Sequence, residues 1–348
     1  MAVQKVASII IIAFAIIAIL VVGQNILIPL ILAIFSWFLI KEIREILDRS
    51  QWIQRVIPRW VKTMFAVVTL LVVIGVFSNL LIINAQNLAN SLQKYSASLI
   101  NITQSISEST GIDMTKSIQS FAGELDFKSI ISELVNSITE LLSNSIMVLL
   151  YLIFILLEES TFLHKMKAVY PDPTKFDNIN EVLLKVDKSI GQYISIKTFL
   201  SFITGTLSYV ILLSIGVDAP LFFAFLIFIL NFIPSIGSLI GTLFPTLMAL
   251  IQFGEETLTP FILVLLLVGT VQVAIGNFLE PKLMGNSLNI SSLVVILSLT
   301  IWGAIWGIAG MVLSVPITVI IIIICSNFKS TKKIAILLSE KGELYLKD

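Results

Sequence analysis

The sequence is poor in charge. Asp, Glu, Lys and Arg make up 13% of its 348 residues, against about 25% in a soluble domain. Charge at half the usual level cannot coat a surface that faces water, so lipid must be the main solvent. The 57% hydrophobic content and the mean hydropathy of +1.01 say the same. There is one cysteine, Cys325, which excludes an internal disulfide. The single histidine, His164, lies in a charged stretch, so neither a Ser–His hydrolase nor a His-Glu-x-x-His zinc site is in prospect. An intramembrane aspartyl pair is missing too, because Asp218 alone stands near an apolar run. No Gly-x-x-x-x-Gly-Lys-[Ser/Thr] occurs, which argues against a built-in nucleotide motor. Net charge is zero, which disfavours a nucleic-acid partner. The expectation is a protein that is not an enzyme and that holds no cofactor and no metal.

Long uncharged runs are what the sequence has in abundance. They occupy 6–22, 26–40, 63–84, 143–157, 198–217, 219–233, 237–253, 260–279 and 288–325. A helix needs about 20 apolar residues to cross roughly 30 Å of hydrocarbon. The first run resembles a signal peptide but lacks a small-x-small cleavage site, and a second run starts at Ile26, so it reads as a retained span.

Basic residues assign sides to the connecting segments. Residues 41–62 hold six, residues 158–197 hold six and the tail after 325 holds five. With Lys5 and Lys282 these total 19 of the 22, whereas Lys94, Lys116 and Lys128 all fall in 85–142. The bias follows span parity and puts both termini in the cytoplasm. It also requires 288–325, too long for one crossing, to enter and return. The turn is expected near Trp302–Gly307, either as two crossings or as a re-entrant hairpin. The same choice is open for 219–253.

Fold class follows: an all-α polytopic membrane protein of the inner or plasma membrane. Residues 1–84 are expected to form N-terminal spans with a basic loop, 143–325 a transport core and 326–348 a cytoplasmic tail. Between them, 85–142 is polar but patterned. Leu81, Ala85, Leu88, Leu92, Tyr95, Leu99, Ile102 and Ile106 recur at steps of four and three, as do Phe127, Ile131, Leu134, Ile138 and Leu141. That is a coiled-coil seam, and it predicts an extracytoplasmic helical hairpin broken at Gly111. In 158–197, Pro171 and Pro173 should end one helix. Ile179, Val182, Leu183, Val186, Ile190, Tyr193 and Ile194 then form an amphipathic face, read either as an interfacial helix on the inner leaflet or as a connector packed on its own spans.

Broken backbone inside a membrane is tolerated only beside protein or water, which directs attention to two clusters. Asn231-Phe-Ile-Pro-Ser-Ile-Gly-Ser-Leu-Ile-Gly241 carries Pro234, Ser235 and the smooth stripe Gly237 and Gly241, where another helix can approach closely. In the second, Gly269, Gln272, Gly276 and Glu280 share one helical face with Asn277 adjoining, followed by Pro281, Lys282 and Gly285. Glu280 ends 20 uncharged residues, and a carboxylate near membrane depth needs a partner such as Lys282, Asn231 or a cation. Its other reading is an interfacial cap. In the last run, Gly303-x-x-x-Gly307 and the pair Trp302 and Trp306 read as packing and interface anchors.

The first cluster, with Asn277-Phe-Leu-Glu-Pro-Lys-Leu-Met-Gly285, Leu288-Asn-Ile-Ser-Ser292 and Trp302-Gly-x-x-x-Gly-x-x-Gly-Met311, resembles the signatures of the autoinducer-2 exporter family of PerM-like permeases. The resemblance covers nearly the whole chain, in layout alone for the N-terminal half. It implies about eight spans, a bacterial inner-membrane location and homo-oligomers, a pentamer among the options. It further implies export of a small hydrophilic molecule such as autoinducer-2, a quorum-sensing signal. A sodium(lithium)/proton antiporter using Glu280, or a passive channel or scaffold, are the alternatives. The positions that match the motif, and so become pathway candidates, are Asn231, Pro234, Gly237, Gly241, Asn277, Glu280, Pro281, Lys282 and Gly285.

Overall fold

The computed structural model describes residues 2–76, 78–80, 83–84, 145–254, 257–285, 289–328 and 330–342. The expected hairpin over 85–142 lies outside the described residues. All regular structure among the described residues is helical, and seven helices are long and apolar enough to cross a membrane. The chain divides into two compact units, one of residues 1–68, 143–195 and 284–348, the other of 69–142 and 196–283.

The first unit begins with α1 (Ala2–Val22) and α2 (Gln24–Asp48). The uncharged runs 6–22 and 26–40 leave residues 23–25 between them for a turn. Instead, Gly23 N donates to Ile19 O at 2.8 Å and Leu27 N to Gly23 O at 2.9 Å, so the joint is a one-residue bend. A reversal between antiparallel helices takes 2–5 residues of loop, and only Gly23 is outside helix here. Then come α3 (Gln51–Val56), α4 (Arg59–Leu80), which runs into the second unit, and α5 (Ser145–Val169). α2 and α5 pack side by side. Their polar ends are locked by Arg44, which donates from Nη2 to Glu159 Oε1 at 2.8 Å and from Nη1 to Oε2 at 3.1 Å. The Arg44 side chain is 7% exposed. A forked, desolvated pair of this kind fixes register, because losing either partner strands a charge at a cost of about 3–5 kcal/mol.

α5 stops before Tyr170-Pro171, and α6 (Pro173–Ile215) starts with its proline at the first helical position. Asp172 Oδ1 accepts from Thr174 N at 3.0 Å and caps the new helix. α6 then runs unbroken for 43 residues, about 65 Å. Of the two readings of the amphipathic stretch, an interfacial helix or a connector packed on protein, burial supports the connector. Its apolar face is buried in protein: Ile190 is 2% exposed, Tyr193 3% and Ile194 1%. Lys41 of α2 pairs with Asp187, and Ser195 donates to Glu42 at 3.1 Å.

The last long helix of this unit, α10 (Ser292–Asn327), folds back on itself. Sixteen residues of straight helix would separate Ser298 from Ser314 by about 24 Å, yet Ser298 Oγ donates to Ser314 O at 2.9 Å. The reversal sits at Trp306 and Gly307, inside the expected segment, where Gly307 takes φ +58°, ψ −138°. That conformation is closed to residues with a Cβ. Of the two roles expected of Trp306, packing and interface anchoring, its burial fits packing: it is 5% exposed and its indole N–H donates to Leu20 O of α1 at 3.0 Å. A buried indole needs an acceptor, and a backbone carbonyl supplies it. The short helix α11 (Lys332–Leu338) packs on α10.

The second unit contains the rest of α6, then α7 (Pro220–Leu230), α8 (Ile236–Phe253) and all but the last residue of α9 (Thr259–Met284). The α6–α7 turn is held by Gln252 of α8. Its Nε2 donates to Gly216 O at 2.9 Å, and its Oε1 accepts from Asp218 N at 2.8 Å. Between the two, α7 has 11 residues, about 16 Å, so it covers roughly half of a hydrocarbon core. The α7–α8 hairpin therefore has one short arm, and its tip at 231–235 is carried back alongside Ser201 of α6 instead of ending at a free loop.

Candidate functional site

Two 20-residue uncharged runs frame the site, 198–217 on α6 and 260–279 on α9. Lys197 immediately precedes the first and Glu280 immediately follows the second. The structure joins them: Lys197 Nζ lies 2.5 Å from Glu280 Oε1. The lysine side chain is 4% exposed and the carboxylate 22%. Each run is about 30 Å long, so one ion pair ties two helices at equivalent ends. Lys282, an expected partner of Glu280, is exposed instead and makes no such contact. Asn231, another expected partner, donates from Nδ2 to Ser201 Oγ at 3.1 Å, both groups being buried.

From this pair a cleft of about 540 Å³ runs between α8 and α9. Along α9 it is lined by Glu280, Asn277, Gly276, Val273, Gln272 and Gly269. Glu280 and Gly269 are eleven residues apart, roughly 16 Å of helix axis. Along the facing wall it is lined by Asn231, Ile233, Pro234, Ser235, Ser238, Leu239 and Thr242. Polar groups thus extend about half the length of helices that are otherwise apolar.

Two irregularities shape the walls. On α9, residues Ala274–Leu279 form a π-helical turn that contains Gly276 and Asn277. Such single wide turns displace the helix face locally and are frequent at functional sites. On the facing wall, Ser235 has φ +59°, ψ −52°, and Ile236 N donates back to Pro234 O at 2.6 Å. This three-residue turn of positive φ is rare and strained for a residue with a Cβ. Strain of about 1–3 kcal/mol persists only where the surroundings enforce it. Here α7 and α8 enforce it by close approach, since a Cβ on Gly237 would fall 1.7 Å from Leu230 O.

Of the residues singled out from sequence, Asn231, Pro234, Ser235, Gln272, Gly276, Asn277 and Glu280 line one cleft. Gly237 and Gly241 stand behind its wall as the stripe where α7 seats on α8; Ile227 Cγ1 and Gln272 Nε2 lie 3.3 and 3.2 Å from where a Gly241 Cβ would be. Pro281, Lys282 and Gly285 are exposed beyond the ion pair and do not line it. Sequence reasoning missed Lys197, counting it only as one more basic loop residue. The signal was there: it borders a 20-residue uncharged run just as Glu280 does. Ser238 and Thr242 were missed as well, although they continue the stripe from Pro234 at four-residue steps.

Comparison with known proteins agrees with this architecture. The sequence model of the AI-2E family transporter matches residues 9–330. The AI-2 transport protein TqsA of Escherichia coli strain K12 is 30% identical over 327 residues, 91% of this chain and 90% of that one. YhhT of the same strain is 28% identical over 339 residues, 96% of this chain and 93% of that one. A protein of Borreliella burgdorferi is 36% identical over a shorter stretch of 203 residues, 58% of this chain and 56% of that one. The chain is therefore a multi-pass α-helical membrane protein that belongs to the AI-2E family of transporters.

Proposed function

We propose that the chain exports a small hydrophilic solute such as autoinducer-2 across the bacterial inner membrane, and that the α8–α9 cleft is part of the route. The observation that carries this reading is the polar lining of the cleft along otherwise apolar helices. Neutral amides and hydroxyls at membrane depth cost free energy unless something polar uses them. A volume of about 540 Å³ suits a small molecule with its hydration better than a bare ion. The 19 of 22 basic residues gathered in alternate segments support a cytoplasmic location for 41–62, 158–197 and the C-terminal tail. On that orientation the Lys197–Glu280 end of the cleft faces the cytoplasm, where an exported solute must load.

The test is flux of autoinducer-2 from everted membrane vesicles or proteoliposomes, with and without a proton or sodium gradient. Wild-type protein is expected to move it, and Asn277→Ala to reduce the rate roughly tenfold, the equivalent of one lost hydrogen bond of about 1.4 kcal/mol. Unchanged flux in Asn277→Ala together with Thr242→Val would remove the cleft from the route. Strict stoichiometric coupling of sodium or lithium to protons, with no solute moved, would favour the antiport reading instead.

A further inference from the structure

Among the described residues, Gln272 is the one buried amide on the cleft that is left without a partner. It is 6% exposed, it lines the cleft, and its Nε2 meets no acceptor among those residues. Its neighbours are different. Asn231 is satisfied by Ser201. The hydroxyls of Ser238 and Thr242 donate to the carbonyls of Ser235 and Ser238 at 2.9 Å each. The Gln272 amide nitrogen rests over Gly241, 3.2 Å from where a Cβ would stand. Gly241 thus leaves room for the amide without supplying it an acceptor. Buried polar groups in native proteins are nearly always hydrogen-bonded, so an exception calls for an explanation.

We propose that Gln272 is the specificity-determining residue of the cleft and that its amide donates to a hydroxyl or carbonyl oxygen of the transported solute. This deepens the export reading and rests on it. The terminal torsion of glutamine is broad, so a small rotation carries the amide from its seat over Gly241 to the cleft. An unpartnered donor at rest binds the solute more strongly than a satisfied one, because no existing hydrogen bond has to be broken first. The same donor rejects apolar solutes, which would leave it unpaired. The lining charges do not compete, since Lys197 and Glu280 neutralise each other.

The experiment pairs a transport measurement with a stability measurement on full-length protein. Autoinducer-2 flux in proteoliposomes and the Tm in detergent are read for wild type, Gln272→Met and Gln272→Leu. A buried donor without a partner contributes nothing to folding, so its apolar replacements are expected to keep or raise the Tm, by roughly 2–4 °C. Flux is expected to fall tenfold to about a hundredfold, the range set by losing one recognition hydrogen bond in a buried site. A Tm lowered by several degrees in both variants would show that the amide is structural and overturn the proposal. Unchanged flux in both, beside active wild type, would overturn it alone. Absence of wild-type flux would remove the export reading, and this inference with it.

Discussion

Replacing Glu280 by Gln is expected to destabilise the protein by about 3–5 kcal/mol and to cut solute flux at least about tenfold. The asymmetry of the pair explains the size. Lys197 is 4% exposed, so without the carboxylate its ammonium has no water to turn to. Glu280 is 22% exposed and keeps access to water, so Lys197→Met should cost less, about 1–2 kcal/mol. The double variant Lys197→Met, Glu280→Leu should recover most of the stability, because replacing both buried charges by apolar groups is often close to neutral. It should not recover flux. A double-mutant cycle read by thermal unfolding, with flux measured beside it, checks all three. Equal losses from the two single changes would mean that the two groups are equally hydrated, contrary to the structure.

Gly237→Ala is the second large effect. The added methyl would lie 1.7 Å from Leu230 O and 2.6 Å from Leu230 C, both backbone atoms that cannot rotate away. Either α7 leaves α8 or the 231–235 turn opens, and with it the strained Ser235 that forms one wall of the cleft. The expected cost is about 3 kcal/mol or more, read as a lower Tm or loss of folded protein from the membrane. Gly276→Ala is the contrast. Nothing lies within 4 Å of its Cβ position, so stability should hold or rise by about 0.5–1 kcal/mol from helix propensity. If Gly237→Ala were as stable as Gly276→Ala, the close seating of α7 on α8 would be wrong.

Much of this arrangement could be read from the chain. The helical class follows from scarce charge together with uncharged runs long enough to cross a membrane as helices. The reversal within 288–325 followed from charge on both sides of an apolar run too long for one crossing, and Trp306–Gly307 is where it occurs. The face of Gly269, Gln272, Gly276 and Glu280 followed from helical periodicity, which survives the π-helical turn because the steps of four from Gln272 to Gly276 to Glu280 suit its wider winding. Periodicity does not say which helix a face meets. So the amphipathic stretch after Pro173 was compatible with lipid until Ile190 and Ile194 were found inside protein. Pairing across distance was likewise illegible. Lys197 and Glu280 are 83 positions apart, and Lys282 was simply nearer in sequence. Gly303 does serve packing, since a Cβ there would fall 3.0 Å from Met311 Cγ, but a motif shows spacing and not φ, and at Gly307 φ decides.

The central claim is that water and solute reach the polar stripe between α8 and α9. Because Cys325 is the single cysteine, Cys325→Ser gives a background for single cysteines at Ser238, Thr242 and Asn277, with exposed Leu207 on α6 as control. Reaction with a membrane-impermeant maleimide should be fast at the three cleft positions, slow at Leu207, and slowed at the cleft by excess autoinducer-2. If Ser238 and Thr242 are as unreactive as Leu207 while the protein still carries flux, the solute takes another route and the account is contradicted.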